Sequence, residues 1–120
     1  MIDNSVEYIA CSAIWYLDYP TPKELNTNLL PINCDKGIVF CGYRHVHCLR
    51  QMNVVWQRKQ FEAGKEIQGF LTSNNRFVNR NEAAKIARDA GQLNDRISWT
   101  DTNWDTVELY SEDIYHNYKK

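Results

Sequence analysis

The segment with the strongest structural signal is a short helix that directly follows a polar turn. Asn79 and Glu82 have the spacing of a capping box, in which the Asn side chain caps the helix and the Glu side chain reaches back. Gly91 supplies the left-handed residue that commonly ends a helix. A helix with one apolar face needs a partner surface in the rest of the chain. The apolar face recurs at helical spacing through Ala83, Ile86, Ala87 and Ala90.

The chain before this helix has the amino-acid composition that is typical of several β-strands. Residues 6–16 are rich in β-branched and aromatic side chains, and residues 36–42 form a short apolar run between two glycines. Residues 66–73 and 76–78 flank Asn74-Asn75. Because Asn tolerates positive φ, this pattern predicts a hairpin with a tight turn.

Between the second strand and the hairpin, the spacing of apolar residues changes from every second residue, as in a strand, to the three- and four-residue spacing of a helix. Residues 43–64 predict a helix that ends at a glycine, and Trp56 on its apolar stripe is expected in the core, as is Phe40 in the strand before it. At the C-terminal end, residues 93–105 predict an ordered loop. Residues 106–110 predict a last strand, followed by one turn at 111–115.

These elements do not alternate as strand and helix in the way a parallel sheet requires. We therefore predict an α+β fold in which a small antiparallel sheet packs against two α-helices. At 120 residues, the chain has the length of one layered domain, residues 1–120.

The charge balance and the lack of export signals limit the class of function. With 14 Lys and Arg against 15 Asp and Glu, the formal net charge of -1 argues against a protein that coats nucleic-acid polymers. The sequence has no apolar run of membrane-spanning length and no secretory signal pattern. We therefore expect a soluble cytoplasmic protein, without membrane contact, whose four cysteines are reduced thiols.

A group of Cys and His residues at 41–48 leaves two chemical alternatives open. Cys41, His45 and Cys48 can face one point, where Cys34 or His47 would complete a tetrahedral zinc site. The same Cys41 is a candidate nucleophile if an imidazole or a helix N-terminus lowers its pKa. Because the C-x-x-C pair of zinc sites and the usual catalytic motifs are missing, we favour buried thiols with no metal, no cofactor and no catalytic residue.

A polar segment at 72–80 has the chemistry of a phosphate site. It combines Arg76 and Arg80 with four Asn, Ser or Thr side chains and with Phe77, and it leads into a helix N-terminus, where an anion is favoured. Arg can donate to phosphate in two contacts, and Phe can stack on a base. The alternative is a polar hairpin tip with a good N-cap.

Aromatic residues are unusually common, with 4 Trp, 7 Tyr and 4 Phe. Trp15 and Tyr16 end the first strand, and because strand side chains alternate, only one of them is expected in the core. The other can stack on a base or cover a contact between subunits.

Four segments together resemble a family, the phage anti-Thoeris signal-sponge proteins of the first-described type. They read A-I-W-Y-L-D at 13–18, C-G-Y-R-H at 41–45, Q-G-F-L-T-S-N-N-R-F-V-N-R-N-E-A at 68–83 and L-Y-S-E-D-I-Y at 109–115. The resemblance implies a non-enzymatic phage protein that acts in the cytoplasm of the infected bacterium. There it would sequester glycocyclic ADP-ribose made by TIR-domain defence proteins. It further implies homo-oligomers built from dimers, such as a hexamer, and in some members separate capture of cyclic di- or trinucleotides of the CBASS defence system.

The resemblance also implies ten ligand-binding residues in this sequence. The residues expected to stack on adenine are Trp15, Phe70, Phe77 and Tyr110. The residues expected to neutralise the pyrophosphate are Arg44, Arg76 and Arg80. The residues expected to hydrogen-bond ribose hydroxyls or the base edge are Thr72, Asn75 and Asp113. The loop at 93–105, His47 and Cys48 have no counterpart in the family pattern.

Overall fold

The strand-forming segments build one four-stranded antiparallel sheet. The computed structural model of the protein describes residues 6–17, 30–56, 65–95 and 98–114. Its strands lie in the order β2-β1-β3-β4. They are β1 (Ile9–Tyr16), β2 (Ile38–Gly42), β3 (Glu66–Thr72) and β4 (Phe77–Asn79).

Two helices complete the predicted α+β fold, which is confirmed. They are α1 (His45–Trp56) and α2 (Arg80–Asp89), and a single 3₁₀ turn follows at Ser111–Asp113. The part of α1 predicted for residues 57–64, and the side chain of Trp56, lie outside the described residues. Neither helix in the described ranges has the length and apolar character needed to cross a membrane.

Both helices cover the same face of the sheet. Side chains that alternate along the strands supply this face, because successive residues of a strand point to opposite sides. Under α1, the buried cluster consists of Ile14, Tyr16, Phe40, Cys48 and Met52. Under α2, it consists of Ile9, Phe70, Val78, Ala83, Ala84, Ala87, Leu109 and Ile114.

The opposite face of the sheet carries a smaller apolar cluster, formed by Ala13, Leu30, Cys34 and Phe77. Trp15, Val39, Cys41, Ile67 and Leu71 pack against it while keeping part of their surface exposed. A cavity of about 220 Å³ opens on this side, with Cys41, Leu71 and Asn75 in its wall.

The predicted hairpin, the predicted N-cap at Asn79 and the predicted helix end at Gly91 are confirmed. Asn75 has a φ of 60°, which places it in the left-handed region that a tight turn requires. The Oδ1 atom of Asn79 accepts a hydrogen bond of 2.8 Å from the backbone N–H of Glu82. Gly91 has a φ of 72° directly after α2. These features depend on residues close in the sequence, so the local pattern was sufficient to predict them.

The prediction of a last strand at 106–110 is wrong. This segment runs past the start of α2, hydrogen-bonds with Arg80 and Asn81 there, and pairs with no described strand. The backbone N–H of Leu109 donates to the carbonyl of Arg80 at 3.0 Å. The side-chain amide of Asn81 donates to the carbonyl of Val107 at 2.9 Å. Contacts with a helix therefore satisfy backbone groups that a sheet would otherwise pair.

Candidate functional site

The N-terminal ends of the two helices meet over the middle of β3. Gly69 pairs with Asn79, the cap of α2, in the sheet. The carbonyl oxygen of the same glycine lies 2.7 Å from Nε2 of His45, the first residue of α1. A Cβ atom at Gly69 would lie 2.1 Å from the carbonyl oxygen of Val78, so no side chain fits there. Two helix starts, each favourable for an anion, are thus held side by side.

Arg80 is the cation at this place that is held by two side-chain hydrogen bonds. Its Nη1 donates to the carbonyl of Leu109 and its Nη2 donates to Oε1 of Gln68, both at 2.7 Å. The guanidinium lies 4.6 Å from the ring centroid of Tyr110, a cation–π distance. Within the described residues no carboxylate lies at ion-pair distance from Arg80. The guanidinium is therefore fixed in place while its charge stays uncompensated by a direct partner.

Arg44 supplies a second cation next to the 3₁₀ turn. Its Nη1 lies 3.4 Å from Oε2 of Glu112, and about a third of its side chain is exposed. The guanidinium also lies 5.5 Å from the ring centroid of Tyr43. Because Glu112 is half exposed, this ion pair is open to water and contributes little to stability. We call Arg44, His45, Arg80, Tyr110 and Glu112 the arginine site.

His45 forms the buried floor of the arginine site. Its ring meets the edge of the Phe70 ring at 5.0 Å with an interplanar angle of 82°. Burial lowers the pKa of His45, and the charge of Arg80 acts in the same direction, against the hydrogen bond to Gly69 and the charge of Glu112. A neutral imidazole that donates Nε2–H to the Gly69 carbonyl satisfies this geometry.

The structure brings three of the predicted residues together in this site and places two more beside them. Arg44, Arg80 and Tyr110 belong to the arginine site itself. Phe70 is fully buried beneath His45, so neither face of its ring is open to a ligand in this arrangement. Asp113 is also buried, and its Oδ2 accepts a hydrogen bond of 2.9 Å from the backbone N–H of Tyr110, which holds the turn.

Thr72, Asn75 and Arg76 lie at the hairpin instead. Nε and Nη2 of Arg76 donate to the two carboxylate oxygens of Glu7 at 2.9 and 2.8 Å. Thr72 Oγ1 donates to the same carboxylate at 2.5 Å. The hydrogen bond from Arg76 holds the pKa of Glu7 below its ordinary value. The charge of Arg76 is therefore matched by Glu7, and the trio ties the start of the chain to the hairpin.

Trp15 and Phe77 lie on the face of the sheet opposite to the helices. Their rings meet edge to face with centroids 5.6 Å apart. Trp15 Nε1 donates to the carbonyl of Lys36 at 2.9 Å, so its polar atom is satisfied locally. Within one chain, the ten predicted residues thus occupy three separate places rather than one pocket.

The alternative of a zinc site at Cys41, His45 and Cys48 is wrong for the described residues. Cys41 packs on the open face of the sheet, whereas Cys48 is buried under α1 on the other face. In the described ranges, no three His, Cys, Asp or Glu side chains are grouped so that they could hold a metal ion, and Cys34 and His47 do not change this. The pKa of Cys41 is raised, mainly by its hydrogen bond with Cys11, which also argues against an activated nucleophile there.

Three polar residues of this region, His45, Gln68 and Glu112, are not among the ten residues predicted from the sequence to bind a ligand. Two of them stand beside predicted residues, since His45 follows Arg44 and Glu112 precedes Asp113. Their positions become informative only when α1, β3 and the 3₁₀ turn meet.

Comparison with protein families gives a match over most of the chain. The family model described as "Phage T4 y16D protein" matches residues 8–115. No significant match was found among curated proteins or among solved structures.

Proposed function

The chain belongs to the phage T4 y16D protein family, whose model spans nearly its whole length, and on this premise we propose that it is a phage anti-defence sponge. It binds cyclic ADP-ribose-type immune signals, such as glycocyclic ADP-ribose, and withholds them from the Thoeris effector without cleaving them. Cyclic di- or trinucleotides of the CBASS system are a second ligand class in this proposal. The phage family and the resemblance of four sequence segments to the anti-Thoeris sponges support it.

The observation that carries the proposal is the state of Arg80. Its guanidinium is fixed by two acceptors and by the Tyr110 ring, and no described carboxylate neutralises it. A guanidinium carries five N–H donors, of which the hydrogen bonds to Leu109 and Gln68 use two. A pyrophosphate can take the remaining donors in a forked contact, with little entropy lost because the side chain is already ordered.

The other groups of the arginine site complement such a ligand. Arg44 can release Glu112 and turn to a phosphate, because their contact is exposed and 3.4 Å long. Tyr110 is nearly half exposed and offers ring surface to a base. A base stack contributes about 1–3 kcal/mol and each charge-assisted hydrogen bond about 1.5–3 kcal/mol before the cost of immobilising the ligand.

Binding without cleavage is consistent with the chemistry of the arginine site. His45 is buried and its Nε2 is engaged by the Gly69 carbonyl, and the Glu112 carboxylate is ion-paired with Arg44. The Asp113 carboxylate is held by the backbone of Tyr110. The proposed activity is therefore sequestration.

We also propose that the protein acts as a homo-oligomer built from dimers, a hexamer being one such assembly. Exposed apolar side chains at and before α1 offer a surface for association, namely Tyr43, Val46 and Val54. A second subunit would enlarge a site that is shallow in one chain. It would also provide a means of joining the separated Trp15, which is only partly buried, to the arginines of a neighbour.

The test is recovery of intact ligand. The purified protein is incubated with cyclic ADP-ribose, its glycosidically linked isomers and cyclic di- and trinucleotides, then washed and denatured by heat. Mass spectrometry of the released material is expected to show one or more of these molecules unchanged and in stoichiometric amount. Recovery of a cleaved nucleotide would show that the protein is an enzyme and would refute the sponge proposal. Release of no nucleotide would favour a ligand-free oligomeric adaptor.

Site variants locate the binding. Arg80→Gln is expected to lower the affinity for the ligand by about tenfold to a hundredfold, which corresponds to the loss of one charge-assisted hydrogen bond. Arg44→Gln tests the same site through a residue whose ion pair with Glu112 is open to water, so little loss of stability is expected. Arg88→Gln is the matched control, because Arg88 lies on the same helix and pairs with Asp89. Equal affinity in Arg80→Gln, Arg44→Gln and Arg88→Gln would refute the arginine site.

A further inference from the structure

Two of the four cysteines lie next to each other on the face of the sheet that the helices leave open. Cys41 opposes Ala13 in the pairing of β2 with β1, and Cys11 opposes Leu71 in the pairing of β1 with β3. Since Cys11 and Ala13 are two residues apart on one strand, Cys11 and Cys41 are diagonal neighbours on the same face. Both are half-buried free thiols.

The side chains of Cys11 and Cys41 are close enough to shift each other's pKa, and the two thiols are not equivalent. Cys11 receives hydrogen bonds from the Cys41 side chain and from the backbone of Gly42, and both lower the pKa of Cys11. The same thiol–thiol hydrogen bond, together with burial, raises the pKa of Cys41. Cys11 is therefore the better thiolate, and Cys41 holds a proton beside it.

The remaining cysteines provide an internal contrast. Cys34 and Cys48 are buried, and burial raises the pKa of each to about 11. Cys48 also contacts the carbonyl oxygens of Ser12 and Arg44 at 3.6 Å. Neither has a thiol neighbour comparable to the contact between Cys11 and Cys41. These two cysteines are structural.

We propose that Cys11 and Cys41 form a modification site for low-molecular-weight disulfides, with Cys11 as the attacking thiol and Cys41 as the resolving thiol. The Cys11 thiolate attacks one sulfur of the disulfide, forms a mixed disulfide and expels one thiolate, which takes up a proton. Cys41 then loses its proton and attacks the Cys11 sulfur, releasing the second thiol. The two electrons lost by the protein thiols reduce the external disulfide to two thiols, and a Cys11–Cys41 bond forms.

The position of the pair allows both steps. Cys41 lies in the wall of the 220 Å³ cavity, which gives a small reagent a path to this face. The ladder neighbour of β2 is β1, and with no described strand on its other side β2 can slide along β1 toward Cys11 as the bond forms. Such a shift is needed because diagonal neighbours are about 7–8 Å apart, somewhat beyond the usual Cα separation across a disulfide. The bond would then tie β2 to the centre of the sheet.

The experiment is disulfide exchange on the whole, reduced protein. It is incubated with glutathione disulfide at about pH 8, quenched with acid, alkylated after unfolding and mapped by peptide mass spectrometry. Wild-type protein is expected to yield the Cys11–Cys41 disulfide with no retained glutathione. Cys41→Ser is expected to retain one glutathione on Cys11. Cys34→Ala is the matched control and is expected to form the same internal disulfide as wild type.

The rates provide a second readout that needs no variant. A thiol with a pKa of about 11 is roughly a hundredfold less ionised at that pH than an ordinary cysteine, and its greater nucleophilicity recovers about tenfold. Cys11 of the wild-type protein should therefore react at least about tenfold faster than Cys34 or Cys48. Equal rates at the three cysteines, or a glutathione that persists on Cys11 in the wild-type protein, would overturn the proposal.

Discussion

Replacing Gly69 with alanine tests whether the contact between β3 and β4 holds both helix starts in place. The added Cβ atom would lie 2.1 Å from the carbonyl oxygen of Val78 and 2.9 Å from Cζ of Phe77, and real Cβ atoms do not approach within 3.0 Å. The first obstacle is backbone, so the clash is relieved only if β4 moves away from β3. That movement displaces Asn79, which caps α2 and is paired with Gly69, the residue whose carbonyl His45 contacts.

The size of the effect follows from this geometry. Overpacking a core costs about 1–3 kcal/mol, and a clash with backbone belongs at the upper end of that range. Unfolding entropy of about 2.1 cal/mol/K per residue gives about 0.25 kcal/mol/K for this chain. Gly69→Ala should therefore lower the free energy of unfolding by about 3 kcal/mol and Tm by about 12 °C.

Gly91→Ala is the matched control. Gly91 has a φ of +72°, but nothing lies within 4 Å of the position of its Cβ atom. The substitution adds only the strain of a left-handed alanine, about 1 kcal/mol, and should lower Tm by about 4 °C. Thermal unfolding of both variants, followed by circular dichroism and calorimetry, measures the difference. A loss in Gly69→Ala no larger than that in Gly91→Ala would show that β4 yields freely and that the packing argument is incorrect.

Two further predictions concern the start of each helix. Asn79→Ala removes the acceptor for the Glu82 N–H and should cost about 1 kcal/mol, seen as a lower urea midpoint with an unchanged slope, whereas Asn79→Asp should keep most of that stability. His45 has a lowered pKa in the folded protein, so the unfolded chain binds more protons just below the ordinary His value. Its contribution to stability is complete above about pH 6.5 and declines as the pH falls toward the folded pKa. Urea titrations should show this decline in wild type and not in His45→Gln. A decline that persists in the variant would assign it to another group; Glu7, whose pKa lies below 4.5, acts only at more acidic pH.

Local sequence patterns were reliable where the interacting atoms are close along the chain. The hairpin turn at Asn75, the cap at Asn79 and the left-handed Gly91 each depend on a few neighbouring residues. The last strand failed for the opposite reason. Whether residues 106–110 pair with a strand or with the start of α2 is decided by Arg80 and Asn81, which are distant in sequence.

The candidate site shows the same division between local and distant information. Polar composition marked Arg76 and Arg80 equally, but Glu7 matches the first charge and leaves the second available. The likeness to the sponge family grouped Phe70 with Tyr110, but helix packing buries one ring and exposes the other.

The sequence by itself determined the α+β class, the helix starts and the presence of arginines beside a helix cap, because periodicity and capping are local properties. The tertiary structure alone decided which polar groups meet. Both helices cover one face of the sheet, and alternation along a strand sends neighbouring side chains to opposite faces. Trp15 and Phe77 therefore lie across the sheet from Arg44 and Arg80. For the same reason, Cys41 lies beside Cys11 and across the sheet from Cys48, so Cys41 and Cys48 do not form a metal site.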